Sequence, residues 1–212
     1  MQILQIIQNA AGLVQGAEKL SLERAVRKLF IIYFLHISNQ EMLETPGGSK
    51  DLNLNAPVKF NGQGKIRIGD KVTFGVINSP GNMSYSYIAA LNSSATISFG
   101  SHTSINNRAS IVAQSSVITI GDRCLIGPDC IICDSNSHDL IVARRLNPDP
   151  QAEAVSIGND VFIGARVIIL KGAHIGNGCV IGAGSVLPPG FKCEDNKIVA
   201  GNPARVVSSV PQ

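Results

Sequence analysis

The most regular feature of the chain is an aliphatic residue at every sixth position from 157 to 187: Ile157, Ile163, Ile169, Ile175, Ile181 and Leu187. Two places before each stands a smaller side chain, in order Val155, Val161, Val167, Ala173, Cys179 and Ser185. Glycine directly follows four of the six aliphatics, at Gly158, Gly164, Gly176 and Gly182. An α-helix cannot keep a six-residue period on one face, because six steps turn a side chain by about 240°. A strand can, since residues two apart point the same way. Each hexad therefore predicts a short strand and a corner, with glycine where the backbone must bend. Repeats this short predict a parallel β-helix.

The six-step also appears upstream, at Ile68 and Phe74, at Phe99, Ile105 and Ile111, and at Ile120, Ile126 and Ile132. Turn-forming residues interrupt it at 78–86 (NSPGNMSYS). The step after Ile132 lands on His138, and the repeat then breaks for DLIVARRLNPDPQAEA at 139–154 before resuming at Val155. An insertion of that kind in a repeat array falls on the surface and often serves binding.

The first 37 residues follow a different pattern. Ile3, Leu4, Ile6, Ile7, Ala10, Ala11, Leu13, Val14 and Ala17 recur at helical spacing. A second helix is predicted from Ser21, as N-cap, to Ile37, with Arg24, Arg27 and Lys28 ahead of LFIIYFL at 29–35. That run is far short of the roughly 20 apolar residues a bilayer span needs. No basic region precedes an early apolar block, so no signal peptide is expected. Two readings of 1–37 stay open: helices packed on the β-helix or a neighbouring subunit, or an amphipathic surface making peripheral contact at the inner membrane. Residues 38–56 are polar around Pro46-Gly47-Gly48 and predict a linker. The expected organisation is a helical segment and linker over 1–50, then a β-helix domain over 51–212 with a C-terminal tail from about 193.

Composition adds limits. Charged residues are 16% and hydrophobic ones 44% of the 212 positions, which suits a compact strand-rich body. A formal charge of +3 gives no clustered basic footprint for nucleic acid. The five cysteines do not pair evenly, Cys124 and Cys179 fall at inward repeat positions, and Cys130-x-x-Cys133 has no second pair. Reduced cysteines in a cytoplasmic core are expected, without a zinc ribbon. The four histidines lie at least 36 residues apart, which argues against a three-histidine zinc centre.

IGAGSV at 181–186, GNPARVV at 201–207 and DSNSH at 134–138 add sequence motifs to the period. From about residue 57 to 207 the chain resembles the hexapeptide-repeat acyltransferases, and within them the sugar O-acetyltransferases of bacterial surface-polysaccharide synthesis. The resemblance implies a left-handed β-helix, a homotrimer and acetyl-coenzyme A as acyl donor. It implies a saccharide acceptor, free, nucleotide-linked or lipid-linked, and no metal. It also makes His138, closing the D-x-D-x-H-like segment, the base that takes the acceptor's hydroxyl proton. Here Asn136 replaces the second carboxylate, so Asp134 or Asp139 is expected to supply charge to the imidazole. Asn106 matches an Asn near the family's active centre. The coenzyme arm would lie along Gly164, Ala165, Gly182 and Ala183, with Arg205 toward its phosphates. Pro188 and Pro189 stand where Thr-Lys usually follows, leaving Lys192 or Lys197 to make up a contact. Arg144 and Arg145 are candidates for an anionic acceptor or coenzyme phosphates. His102 and His174 are expected at corners, and His36 at the end of the apolar run. Two other activities stay open: N-acetylation of a sugar amine, and a non-catalytic β-helix scaffold or binding protein.

Overall fold

The computed structural model describes residues 19–45 and 52–211. An 18-residue helix, α1 (Lys19–His36), precedes a parallel β-coil with three faces of seven, eight and six strands. The first face runs from Leu43–Glu44 to Lys192–Cys193. The second runs from Leu52–Leu54 to Ala204–Ser209, and the third from Val58–Gly62 to Val186–Leu187. Each strand pairs in register with the one a coil later, so Ile157 faces Ile175 and Ile163 faces Ile181. The coil is left-handed. The insertion loops out without disturbing that register: Ile120, Ile126 and Ile132 pair with Ile157, Ile163 and Ile169 across it.

All twelve inward positions of the 155–187 hexads are buried, from Val155 and Ile157 to Ser185 and Leu187. Toward the N-terminal end the core widens to hold Phe60, Phe74 and Phe99, whose rings meet edge to face at 5.8 and 5.3 Å. The glycines directly after the aliphatics do not supply the bend that the sequence suggested. The backbone enters the left-handed region two places later, at Asp160, Arg166, Gly172, Gly178, Gly184 and Gly190, with φ between 58° and 72°. Gly158 and Gly176 serve close stacking instead, since a Cβ there would stand 2.8 and 2.5 Å from a backbone nitrogen of the next coil.

At the corner between the first and second faces, side-chain oxygens close the backbone from coil to coil. Asp122 accepts the Ser101 N–H at 2.7 Å, Asn159 that of Asp122 at 2.8 Å, Asn177 that of Asn159 at 2.8 Å, and Asp195 that of Asn177 at 2.7 Å. Corner amides that no strand could satisfy are thereby paired.

Helix α1 packs against Val58–Gly62 at the N-terminal end of the coil, with Leu35 against the core and Phe34 stacked on Tyr85 at 4.5 Å. Ser38 fixes the exit: its hydroxyl donates to the Phe34 carbonyl at 2.6 Å and accepts the Phe60 N–H at 2.9 Å. For α1 the packed reading is therefore the one observed. Ser21 lies within the helix rather than at its cap. Arg27 is buried and 3.7 Å from Glu23, which removes it from any basic surface, while Arg24 and Lys28 are exposed. The helical pattern at 3–17 and the Pro-Gly-Gly turn lie outside the described residues. No helix among the described residues is long and apolar enough to cross a membrane.

Two domain boundaries shift. Leu43–Glu44 already joins the first face beside Lys65–Ile68, so the coil starts before residue 51. At the other end Lys197–Gly201 continues the coil by pairing with Val180–Ile181, and only Ala204–Ser209 turns back antiparallel. The coil thus outlasts residue 193. The five cysteines are free thiols, four buried and Cys133 half-buried. Burial pushes the thiols of Cys124, Cys130, Cys133 and Cys193 above the ordinary value, Cys130 and Cys193 to about 11.

Candidate active site

The insertion leaves the coil at the corner between the third and first faces, and its first residue of note is Asp134. The Asp134 carboxylate is buried and fully engaged. One oxygen accepts the Gln114 N–H at 2.7 Å, the other those of Ser115 and Ser116 at 3.2 and 2.7 Å. These three amides belong to the extra residues that follow Ala113 one coil earlier. Asp139 is also committed: it accepts the Ile141 N–H at 2.8 Å and pairs with Arg144 at 2.7 Å. The Ile141 N–H and then the Arg144 guanidinium hold its carboxyl below the usual range. Neither carboxylate is hydrogen-bonded to His138. Among the described residues both are engaged in shaping the insertion.

His138 itself is exposed, and its ring makes no hydrogen bond among the described residues. Its turn, by contrast, is held on both sides. The Asn136 N–H donates to Asp149 at 2.7 Å, the Ser137 carbonyl accepts the Asp149 N–H at 3.3 Å, and the Asp139 N–H reaches the Asn147 carbonyl at 3.0 Å. Asp149 is in turn met by the Lys171 ammonium at 2.9 Å, and Lys171 also donates to the Gln151 carbonyl at 2.7 Å. Both side chains of this pair are buried. Burial would raise the Asp149 carboxyl, but the Asn136 N–H, the Lys171 ammonium and the Gln151 N–H outweigh it and hold it low. Asp149 and Lys171 escaped the sequence reading. Their one trace is a lysine, in ILKGAH, where the repeat otherwise carries small residues.

Asn106 occupies a different corner, between the second and third faces. Gly75, Asn106, Gly127, Gly164 and Gly182 follow one another there coil by coil, each N–H bonded to a strand-end carbonyl of the next coil. Asn106 is half-buried and its side-chain oxygen accepts the Asn107 N–H at 2.7 Å. Its neighbour Asn107 is fully buried and donates to the carbonyls of Val76, Ser79 and Pro80 at 2.9, 3.0 and 3.1 Å, which secures the 78–86 interruption. Ala165 and Ala183 share the edge, and their N–H groups carry no hydrogen bond among the described residues. Arg205 pairs with Ala200, whose Cβ lies beside Gly182, so the arginine reaches the same edge. It is exposed, donating to the Ala204 carbonyl at 2.7 Å.

The candidate residues therefore fall into two groups on one chain. Asn106, Gly164, Ala165, Gly182, Ala183 and Arg205 line one edge, while Asp134, Asn136 and His138 belong to the next. Lys192 sits on the first face beside His174 and so stands away from the edge of Gly164 and Gly182, while Lys197 donates to Ser209 on the second face. His174 lies on a strand rather than at a corner, bonded through Nδ1 to the Ser156 hydroxyl. His102 does occupy a left-handed corner, with φ of 60°. Among the described residues no three histidine, cysteine or carboxylate side chains group as a metal site.

Comparison with known proteins agrees with this architecture. Residues 154–189 match the family model described as bacterial transferase hexapeptide (six repeats), and 117–135 that of the hexapeptide repeat of succinyl-transferase. WbbJ of Escherichia coli (strain K12), provisionally named a lipopolysaccharide biosynthesis O-acetyl transferase, is 30% identical over 162 residues, 71% of this chain and 75% of its own. Galactoside O-acetyltransferase of the same strain is 34% identical over 103 residues, so the match spans only about half of that relative, 47%. The polysialic acid O-acetyltransferase OatWY superposes with a TM-score of 0.56 at 25% identity, over 76% of this chain and 71% of its own. A galactoside acetyltransferase solved with coenzyme A shares the fold, with a TM-score of 0.50 at 23% identity over 98% and 80% of the two chains. On the strength of the WbbJ match, the chain belongs to the hexapeptide-repeat acetyltransferases.

Proposed function

We propose that the protein moves an acetyl group from acetyl-coenzyme A to a hydroxyl of a saccharide used in bacterial surface-polysaccharide synthesis. The observation that carries this reading is His138: its turn is clamped on both sides while its imidazole is left exposed and free of hydrogen bonds. A ring so held is ready to accept a proton from an alcohol, which is a poor nucleophile without a base nearby. As the proton passes to His138, the hydroxyl oxygen bonds to the thioester carbonyl carbon. Collapse of that adduct breaks the carbon–sulfur bond, and the proton goes on to the coenzyme thiolate. No acyl-enzyme is needed. Asn136, whose side chain is exposed two residues before His138, is assigned to orient the ring. Asn106 is assigned to the developing oxyanion through its amide.

The edge formed by Gly164, Ala165, Gly182 and Ala183 suits the coenzyme arm. Small side chains admit close approach, and the free N–H groups of Ala165 and Ala183 offer donors to its amide carbonyls. Arg205 extends toward the phosphates. The relatives named for O-acetyl transfer to sugars support hydroxyl over amine as acceptor.

Because base and coenzyme edge belong to different corners, the reading requires a second copy to bring them together, in a homotrimer with closed threefold symmetry. Outward side chains support this assembly. The second and third faces, which flank the coenzyme edge, expose Leu125, Phe162 and Ile131, whereas the first face presents Ser98, Thr119, Ser156, His174 and Lys192, with Val117 its single exposed large apolar residue among the described residues. The insertion adds Leu140, Ile141, Val142 and Leu146, the last 96% exposed in the single chain.

The test is His138→Ala with acetyl-coenzyme A and a panel of sugars. Turnover should fall about 10²–10⁴-fold, equivalent to roughly 3–5 kcal/mol of barrier, with coenzyme affinity little changed. A folded variant that keeps wild-type turnover on the true acceptor would overturn the mechanism.

A further inference from the structure

The insertion is tied to the coil by a buried ion pair that the chemistry above does not use. Lys171 belongs to the coil above, at the corner between the third and first faces. Asp149 lies near the end of the insertion, and both side chains are more than nine-tenths buried. A lone ammonium or carboxylate at such depth is costly, so each is held by the other and by hydrogen bonds. Every donor and acceptor around the pair points into the insertion. Asp149 takes the N–H groups of Asn136 and Gln151 at 2.7 and 2.9 Å, and Lys171 takes the Gln151 carbonyl. Gln114, buried in the coil below, donates to the Asp149 carbonyl at 3.2 Å. Asp149 therefore touches the two residues before His138: Asn136 through its carboxylate and Ser137 through its own N–H.

We infer that Lys171 and Asp149 are positioning residues for the transfer reaction, a buried latch that sets where the His138 ring stands relative to the coil edge. This rests on the reading of His138 as base. The His138 ring makes no hydrogen bond among the described residues, so its placement is inherited from its neighbours, and two of them hang on Asp149. The latch also explains the choice of a charged pair at a place where an apolar pair would stabilise as well or better. An apolar pair would fill the space, but it would leave the Asn136 and Gln151 N–H groups without their acceptor.

The experiment is a double-mutant cycle between Lys171→Met and His138→Ala, read as kcat on the acceptor with acetyl-coenzyme A. Met keeps the length of the side chain and removes the charge. In the wild-type background Lys171→Met should lower kcat about 10- to 100-fold, the scale of a misplacement of about an ångström. The Kd for acetyl-coenzyme A should stay within about twofold, because the coenzyme edge lies at another corner. In the His138→Ala background the same change should have almost no further effect, since a misplaced base that is already absent cannot be lost twice. Asp149→Asn, nearly isosteric and neutral, should behave the same way and covers the case in which Lys171→Met does not fold. Equal losses in both backgrounds, or a wild-type kcat in either single variant, would overturn the latch. Failure of the His138 reading is seen separately, as full activity in His138→Ala alone.

Discussion

Asp134 stands beside the proposed base in sequence, yet the structure gives it a different task, and replacing it by alanine separates the two. The substitution removes the acceptor of three N–H groups, one on the buried Gln114 and two on the half-buried Ser115 and Ser116. A buried donor stripped of its partner costs about 1–3 kcal/mol, and the cost is greater when the lost acceptor is charged. The Gln114 amide bears that cost in full, while water can partly serve the other two, so the loss should be about 3–5 kcal/mol. For a chain of this size each kcal/mol lowers Tm by about 2–4 °C, so Tm should drop by roughly 6–20 °C. The assay is thermal and urea unfolding of Asp134→Ala beside wild type, at one protein concentration because assembly contributes to apparent stability. Turnover is measured below the new transition. A variant with unchanged Tm but turnover lowered a hundredfold would refute the structural role and return Asp134 to the chemistry.

Three other outcomes are expected. Asp149, Asp139, Asp160 and Asp195 all sit below their ordinary value of 3.8, so each contributes stability that is complete above about pH 4 and fades as pH falls through its lower folded value. Urea midpoints taken from pH 6 to 2.5 should therefore drop on the acid side, less steeply in Asp149→Asn; an identical slope would contradict the assignment. Gly164→Ala puts a Cβ 2.6 Å from the Ala183 nitrogen and should cost about 1–3 kcal/mol, whereas at Gly182 the nearest atom is the Ala200 Cβ at 3.3 Å. Gly182→Ala should thus keep near-wild-type stability and weaken acetyl-coenzyme A in a titration; the reverse ranking would sink the coenzyme edge. Sedimentation at micromolar concentration should give a trimer, with Leu146→Asp shifting it toward monomer; an active monomer would disprove the shared site.

The β-helix could be read from the sequence because the core-facing residue recurs with a fixed step, and that step is itself the geometry of the coil. Ile157 through Leu187 needed no tertiary context to be placed inward. Corner chemistry was less visible: the left-handed position is glycine in four hexads but Asp160 and Arg166 in the first two, which hides it, while the glycines directly after the aliphatics answer to stacking distance, which only neighbouring coils define. The helix predicted over 21–37 ends within one residue of its expected place, at His36. His138 was marked by the broken step, but the partners of Asp134 could not be read, since its three donors lie 18 to 20 residues back and belong to a bulge with no motif. Lys171 and Asp149 are 22 residues apart, and a pairing made through an irregular insertion has no period to betray it.

The chain of side-chain oxygens from Asp122 to Asp195 bears on how a protein of this shape can change in length. Each link asks one thing of its neighbour, a backbone amide at the same corner one turn away, and offers the same in return. A gain or loss of one whole turn leaves every remaining link with a partner of the required kind: Asn177, following Gly176, could stand in the place of Asn159, following Gly158. A gain or loss of part of a turn shifts the corner along the strand and leaves amides unpaired unless the extra residues are expelled as a loop, as at 139–154. The natural unit of variation for this architecture is thus the turn, and departures from it mark the places where the surface has been given something else to do.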